Sequence, residues 1–147
     1  MNESKLDVKK KAVIEIAENL FLSQGLATTE MKEIARCASI SRSTLYRMFD
    51  SRETLAFAVA DKCLHELLDP KPMEIYGTDR SGFEILRSYS SNLIETMIQG
   101  VRYVKYLSEF DQMFSGDYPD TPEARKYVQF NRQRHDRQIL LNILRLG

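Results

Sequence analysis

Apolar residues recur along most of this chain at helical spacing. Val13, Ile16, Ala17, Leu20 and Phe21 fall at i, i+3, i+4, i+7 and i+8, the stripe that one face of an amphipathic helix presents. Gly25 follows and can end that helix. Met31, Ile34, Ala35 and Ala38 repeat the spacing in a short second helix, with Thr28 and Thr29 in position to cap it and Glu33 in its first turn. Only Ser39-Ile40-Ser41 separates it from a third helix, which Ser41 can cap and in which Leu45 and Phe49 point inward. Asp50-Ser51 breaks that helix, and Ser51, with Glu53 just inside, is a second good cap. A longer fourth helix carries Leu55, Ala58, Val59, Cys63 and Leu67 until Pro70 and Pro72 stop it.

Asp69 to Arg80 reads as a linker. Ser81 to Glu84 then has capping-box spacing, and Leu86, Tyr89, Ser90, Leu93, Ile94 and Met97 follow at helical intervals. Gly100 marks a break or kink. Tyr103, Tyr106, Leu107, Phe110, Met113 and Phe114 form another stripe, residues 115–120 a loop, and Thr121-Pro122 a cap followed by a favoured first helical residue. Asn131 to Gln138 holds no apolar residue, whereas Ile139 to Leu146 is strongly apolar. No segment alternates with period two and no internal repeat is present, so the expected fold class is all-α.

Composition narrows this only a little. At 147 residues, 43% apolar and 29% charged, the chain suits one domain or a compact pair of subdomains and is too apolar to be wholly disordered. No apolar run approaches the ~20 residues of a membrane helix, and no apolar signal core follows Met1 to Lys5. The expectation is a soluble, cytoplasmic protein. Cys37 and Cys63 form no CxxC and have no companions for a zinc site, which fits two thiols in a reducing compartment.

Net charge is zero, but unevenly spread. Residues 1–52 carry nine Lys/Arg against seven Asp/Glu, residues 53–120 six against twelve, and residues 121–147 six against two. Between Lys32 and Arg52, Lys32, Arg36, Arg42, Arg47 and Arg52 oppose only Glu33 and Asp50. A locally basic segment beside an acidic middle suggests one polyanion-facing surface rather than a basic protein.

That segment coincides with two short helices and a tight turn, a helix-turn-helix. In this motif the second helix enters the major groove with its N-terminal side chains at the base edges. Ser41, Ser43 and Thr44 are small donors at its start. Arg42 and Arg47 can pair with phosphate or bidentately with guanine. Tyr46 offers a phenolic donor, and Arg52 lies on the first turn of the next helix, near free backbone amides. Ile34, Ala35, Ile40, Leu45 and Phe49 would pin the two helices together.

The chain here resembles the N-terminal domain of tetracycline-repressor-like (TetR-type) transcriptional regulators. The resemblance rests on Leu20-Phe21, Gly25, Thr28-Thr29, Ile34-Ala35, Ser41, Leu45-Tyr46, Phe49 and Ser51-Arg52 with Leu55, and covers about residues 8–68. Residues 80–147 share only helical character with that family. The family usually has Gly where Ser39 stands, a second Ser/Thr where Glu30 stands and Lys in place of Arg52. A left-handed Ser39 would cost on the order of 1 kcal/mol, and an acid at Glu30 would repel a nearby phosphate.

The resemblance implies a helix-turn-helix DNA-binding domain over residues 1–52 and a helical effector-binding and dimerisation domain over 53–147. The family's last two helices, which form its dimer, are expected to be missing from the latter. It adds Thr29 and Met48 to the candidate DNA contacts, Met48 either touching a thymine methyl or simply packing. It implies a homodimer on a near-palindromic double-stranded operator and a small-molecule effector, bound where Tyr89, Leu93, Met97, Tyr103, Tyr106, Phe110, Met113 and Phe114 form either bundle core or the wall of a cavity. The expected function is a ligand-responsive repressor.

Glu30 and the neutral net charge motivate an alternative, a non-catalytic helical interaction module that has lost DNA binding. No nucleophile–base set, Gly-rich phosphate loop or paired catalytic carboxylates stand in the sequence, so an enzyme is not expected, nor a cofactor. His65-Glu66 lacks the second histidine of a zinc-protease helix, and His65 with Asp69 reads as a surface pair. Arg132, Arg134, His135 and Arg137 read as a solvated basic face.

Overall fold

The computed structural model describes residues 4–68 and 81–133. The expected linker at 69–80, the pairing of His65 with Asp69, and the segment holding Arg134, His135, Arg137 and Ile139 to Leu146 lie outside the described residues. All regular structure within them is α-helical: α1 (Lys5–Gln24), α2 (Met31–Cys37), α3 (Arg42–Met48), α4 (Arg52–Leu68), α5 (Gly82–Gln99), α6 (Val101–Phe114) and α7 (Pro122–Gln133).

The helix boundaries follow from local hydrogen-bond chemistry. Ser4 and Asp7 form a reciprocal capping box on α1, and Ser81 and Glu84 form another on α5. The Ser51 hydroxyl accepts from the Thr54 N–H at 3.1 Å at the start of α4. The Thr121 hydroxyl accepts from the Ala124 N–H at 3.2 Å ahead of Pro122. Thr28 and Thr29 do not cap α2. Their hydroxyls turn back to the carbonyls of Gln24 at 2.6 Å and Gly25 at 2.7 Å, satisfying the open end of α1, and Glu30 begins α2 with no side-chain cap.

The α2–α3 turn is a Schellman motif. The Ile40 N–H donates to the Ala35 carbonyl at 3.1 Å and the Ser39 N–H to that of Arg36 at 3.1 Å. Ser39 sits at φ +53, the left-handed position the motif demands. Gly100 separates α5 from α6 and is buried. A β-carbon there would meet the Leu67 Cδ1 at 2.6 Å, so α4 passes against this corner only because no side chain is present.

The long helix α4 packs on α1, α6 and α7, and one continuous core joins them. Its centre is aromatic: Phe57 meets Phe110 at 4.7 Å edge-on, Phe114 at 4.8 Å and Tyr127 at 5.8 Å. Tyr106 stacks on Phe21 at 5.9 Å and donates its hydroxyl to the Ala56 carbonyl at 2.8 Å, tying α6 to α1 and α4 at once. Helix α5 is phased differently from expectation. Ile85 and Tyr89 are buried, with Leu93 packed on them, while Leu86, Ile94 and Met97 are exposed. With α5 only lightly covered by α4 and α6, burial selects a narrower stripe than apolar spacing alone indicates.

One polar network crosses this core. The buried carboxylate of Glu18 on α1 pairs with Lys62 on α4, which also bridges to Glu66 at 2.8 Å. Burial alone would pull the Lys62 ammonium pKa down. The hydrogen bonds to Glu18 and Glu66 instead hold it well above its ordinary value. Burial likewise opposes ionisation of Glu66, but the hydrogen bonds from Lys62 and Tyr103 keep its carboxyl below the usual range.

Candidate nucleic-acid interface

Helix α3 is held from behind and free in front. Leu45, Met48 and Phe49 are buried against a core that includes Ile34 and Ala35 of α2, and Lys10 of α1 lies 5.7 Å from the centre of the Phe49 ring. Because α3 turns every 3.6 residues, fixing that face inward turns two outward rows to solvent, Arg42 with Tyr46 and Ser43 with Arg47. All four are exposed.

The hydroxyls at the start of α3 are partly engaged. Ser41 Oγ accepts from the Thr44 N–H at 3.1 Å and donates to Thr44 Oγ1 at 2.7 Å, so its first task is to cap the helix. Arg47 Nη2 also donates to Thr44 Oγ1, at 3.3 Å, which aligns the guanidinium along the outer row. The acid at Glu30 is offset within the protein. Lys32 hydrogen-bonds to it at 2.8 Å and, with the charge of Arg42, holds its carboxyl below the usual range.

Of the expected contacts, Thr29 is corrected, Met48 takes the packing alternative, and Arg52 has a second partner within the protein. Thr29 is fully buried and its hydroxyl is committed to Gly25, so its side chain shapes the α1–α2 loop. Met48 is 8% exposed and packs under α3 rather than facing outward, because it follows Leu45 by three positions on the inward row. Arg52 donates Nη1 to the Ala27 carbonyl at 3.2 Å and lies 3.9 Å from Glu53. Its guanidinium braces the loop between α1 and α2.

A second feature lies on the far side of α4. A cleft of about 550 Å³ opens between α4, α5, α6 and α7. Leu64, Leu67, Leu93, Met97, Val104 and Leu107 form its apolar wall, and Ser108, Asp111, Gln112, Tyr127 and Asn131 its polar part. Of the eight residues expected to bind an effector, Leu93 and Met97 line it. Tyr106, Phe110 and Phe114 instead fill the aromatic core. Tyr103 is tied to Glu66, Tyr89 packs on Ile85, and Met113, exposed, is not on the cleft wall.

The cleft takes the neighbouring face of α6. Val104, Leu107, Ser108 and Asp111 stand at i, i+3, i+4 and i+7, a stripe that spacing offered alongside the aromatic one and that the larger side chains overshadowed. Leu64 of α4 and Tyr127 of α7 line the cleft with this stripe, and neither they nor Asp111 were among the residues expected there. Burial pushes the Asp111 carboxyl above its ordinary range, against a hydrogen bond from Tyr127 that favours the charged form. Among the described residues no cluster suited to a metal ion occurs, and no helix is long and apolar enough to cross a membrane.

Residues 13–59 match the family model of bacterial regulatory proteins, tetR family. Two Mycobacterium tuberculosis proteins, from strains CDC 1551 and H37Rv, each bear the name uncharacterized HTH-type transcriptional regulator. Both are 50% identical to this chain over 46 residues, which is 31% of this chain and 23% of each relative. The chain thus matches about a quarter of the length of these curated relatives. A crystal structure of a linker-substituted mutant of the protein HlyIIR superposes over 97% of this chain and 72% of its own, with a TM-score of 0.63 and 18% identity. That likeness extends the shared fold to the helices after α4.

Proposed function

We propose that this chain, which carries a tetR-family regulatory domain over residues 13–59, is a DNA-binding transcriptional regulator, and specifically a ligand-responsive repressor. Residues 1–52 read the operator and residues 53–147 sense the effector, with α4 packed against both. The observation that carries the reading is the outward edge of α3. Arg42, Ser43, Tyr46 and Arg47 are exposed together above a fully packed inner face, the arrangement a helix needs to enter a major groove without unfolding.

Two copies would set their α3 helices in successive major grooves, about 34–36 Å apart, on a near-palindromic site. Effector binding in the cleft between α4 and α7 would favour a spacing that no longer fits the duplex. A differential affinity of about 1–3 kcal/mol corresponds to a 5–150-fold change in occupancy. The reading assigns no catalytic group. Gel shift of the full chain on its gene's own upstream region tests it. Specific binding competed by the same fragment and not by random DNA is expected, and equal competition by both overturns the operator reading. A helical module without DNA binding is the second reading, motivated by Glu30 and the neutral net charge, and the same gel shift separates the two.

A further inference from the structure

A smaller pocket, of about 230 Å³, lies where α1, α4 and α7 meet Phe49, the residue that closes α3. It shares no lining residue with the larger cleft. Ile14, Phe49, Ala58 and Pro122 give it an apolar surface. Two carboxylates, Asp61 and Glu123, share it with two ammonium groups, Lys10 and Lys126.

Asp61 is the member that points to a ligand. It is 6% exposed, and its two carboxylate oxygens are unequally served. Oδ2 lies 3.2 Å from Lys126 Nζ. Oδ1 is buried and has no hydrogen-bond partner among the described residues. His65 Nδ1 stands 3.6 Å from it, too far for a hydrogen bond, and is engaged at 2.8 Å with the Asp61 carbonyl. A buried carboxylate oxygen without a donor is unfavourable, so a donor brought into the pocket is favoured there. Lys10 lies 5.7 Å from the centre of the Phe49 ring, and neither it nor Glu123 belongs to an ion pair among the described residues. The pocket thus combines a buried acceptor in need of a donor, a cation with no carboxylate on it, and hydrocarbon between α1 and α4.

A ligand with a positive charge alone would serve Asp61 but meet two lysines. One with a negative charge alone would serve Lys10 but face the buried carboxylate. A small molecule that carries both charges and an apolar group answers every part of the wall. From this geometry we propose that the pocket binds a free α-amino acid with an aliphatic side chain. Its ammonium donates to Asp61, its carboxylate pairs with Lys10, and its side chain lies against Ile14, Phe49 and Ala58. Because Phe49 ends α3 and Pro122 begins α7, the bound molecule would join the helix-turn-helix to α7.

Leucine and its two half-charged analogues test the proposal. In NMR titrations of the full chain, leucine should shift the amides of Ala58, Asp61 and Lys126 with saturation. 3-Methylbutylamine, which lacks the carboxylate, and 4-methylpentanoate, which lacks the ammonium, should each bind at least tenfold more weakly, about 1.4 kcal/mol. Lys10→Met should weaken leucine at least tenfold, and Ala58→Leu, which fills the pocket, should abolish its binding. Asp61→Asn keeps the side-chain shape and should also weaken leucine at least tenfold. Circular dichroism checks its fold, and the other two variants decide where it is unfolded. Analogues within twofold of leucine overturn the zwitterionic class. Leucine affinity within twofold of the parent in both Lys10→Met and Ala58→Leu overturns the site. No saturable shift with leucine overturns the inference outright. The gel shift tests the DNA-binding reading by itself, and no outcome here bears on it.

Discussion

The side chain of Glu109, on α6, accepts a hydrogen bond from the backbone N–H of Ala27 at 3.2 Å, a contact between residues 82 positions apart. Arg52 holds the carbonyl of the same residue, also at 3.2 Å. The loop leading into α2 is thus gripped from the helix that lines the cleft and from the helix that follows α3. Tyr106, one turn earlier on α6, adds its bond to Ala56 and its stack on Phe21. A shift of α6 on filling the cleft would therefore act directly on the helix-turn-helix, which gives the proposed effector response a physical route.

Removing the Glu109 acceptor should loosen this loop more than the fold. A partly exposed hydrogen bond contributes about 0.5–1.5 kcal/mol. In Glu109→Ala, amide exchange at Ala27 followed by NMR should accelerate by about threefold to tenfold. Glu109→Gln, which keeps an acceptor oxygen, should stay near the parent rate. An unchanged Ala27 rate in Glu109→Ala would mean that this bond carries none of the contact.

The outward rows of α3 predict separable effects on DNA. Arg47→Ala and Arg42→Ala should weaken operator binding and lower the slope of log affinity against log salt by about one each if they meet phosphate. Tyr46→Ala should weaken binding with no change in slope. Arg52→Ala should act chiefly through the Ala27 loop, since its guanidinium is engaged there. Fluorescence anisotropy across a salt series checks all four. A full unit of slope lost in Arg52→Ala would show that it meets phosphate as well.

These residues also mark where the sequence was legible. The caps at Ser41, Ser51, Ser81 and Thr121 were readable because capping is local, a hydroxyl and an N–H three residues apart. The inward face of the helix-turn-helix was readable because its pins are few and large. Thr29 was misread because a threonine between two helices can serve the end of one or the start of the next, and only the path of the loop decides. The aromatic stripe of α6 was correctly seen as one face of a helix, yet periodicity cannot tell which neighbour a face meets. Phe110 met Phe57 in the core, and the plainer face with Asp111 met the cleft. Glu109 and Ala27 were invisible, because nothing local links two residues that far apart.

Ser39 is exposed and left-handed at φ +53. Left-handed backbone is unfavourable by about 1–2 kcal/mol for a residue with a β-carbon, and Ser39 takes it at an exposed position of the turn. Ser39→Gly should therefore stabilise the chain by up to about 1 kcal/mol, raising the melting temperature by about 2–4 °C. Scanning calorimetry checks this, and a lower melting temperature would contradict the strain assigned to the turn.

Lys62 should be the costliest surface-reaching residue to remove. Its loss leaves Glu18, at 5% exposure, as a buried unpaired carboxylate. Breaking a buried pair costs about 3–5 kcal/mol, and the partial exposure of Lys62 puts Lys62→Met toward the lower end. Glu18→Leu with Lys62→Met should recover most of the loss, since the charge to be solvated is gone. Urea unfolding of the two single variants and the double variant measures the coupling. Additive losses would show that the two side chains do not act as a pair.

The two thiols differ in environment, and that difference sets an alkaline limit. Cys37 is exposed and Cys63 fully buried. Burial, with the charges of Glu18 and Glu66 adding, pushes the Cys63 thiol up to about 12. A thiol reagent at pH 8 should modify one cysteine per chain in native protein and two in urea. Because the folded value lies above the unfolded one, near ~8.5, this group's contribution is intact below that pH. It is lost progressively as pH rises toward the folded value, by about 1.4 kcal/mol per unit at most. Lys62, also held high in the folded state, adds to the same alkaline decline once pH passes its unfolded value near ~10.4. Cys63→Ala should be less stable than the parent at pH 7 through the lost packing, yet decline less steeply between pH 8.5 and 10. Urea midpoints across that range decide the matter, and parallel curves for parent and variant would show that the Cys63 thiol is not the group being titrated.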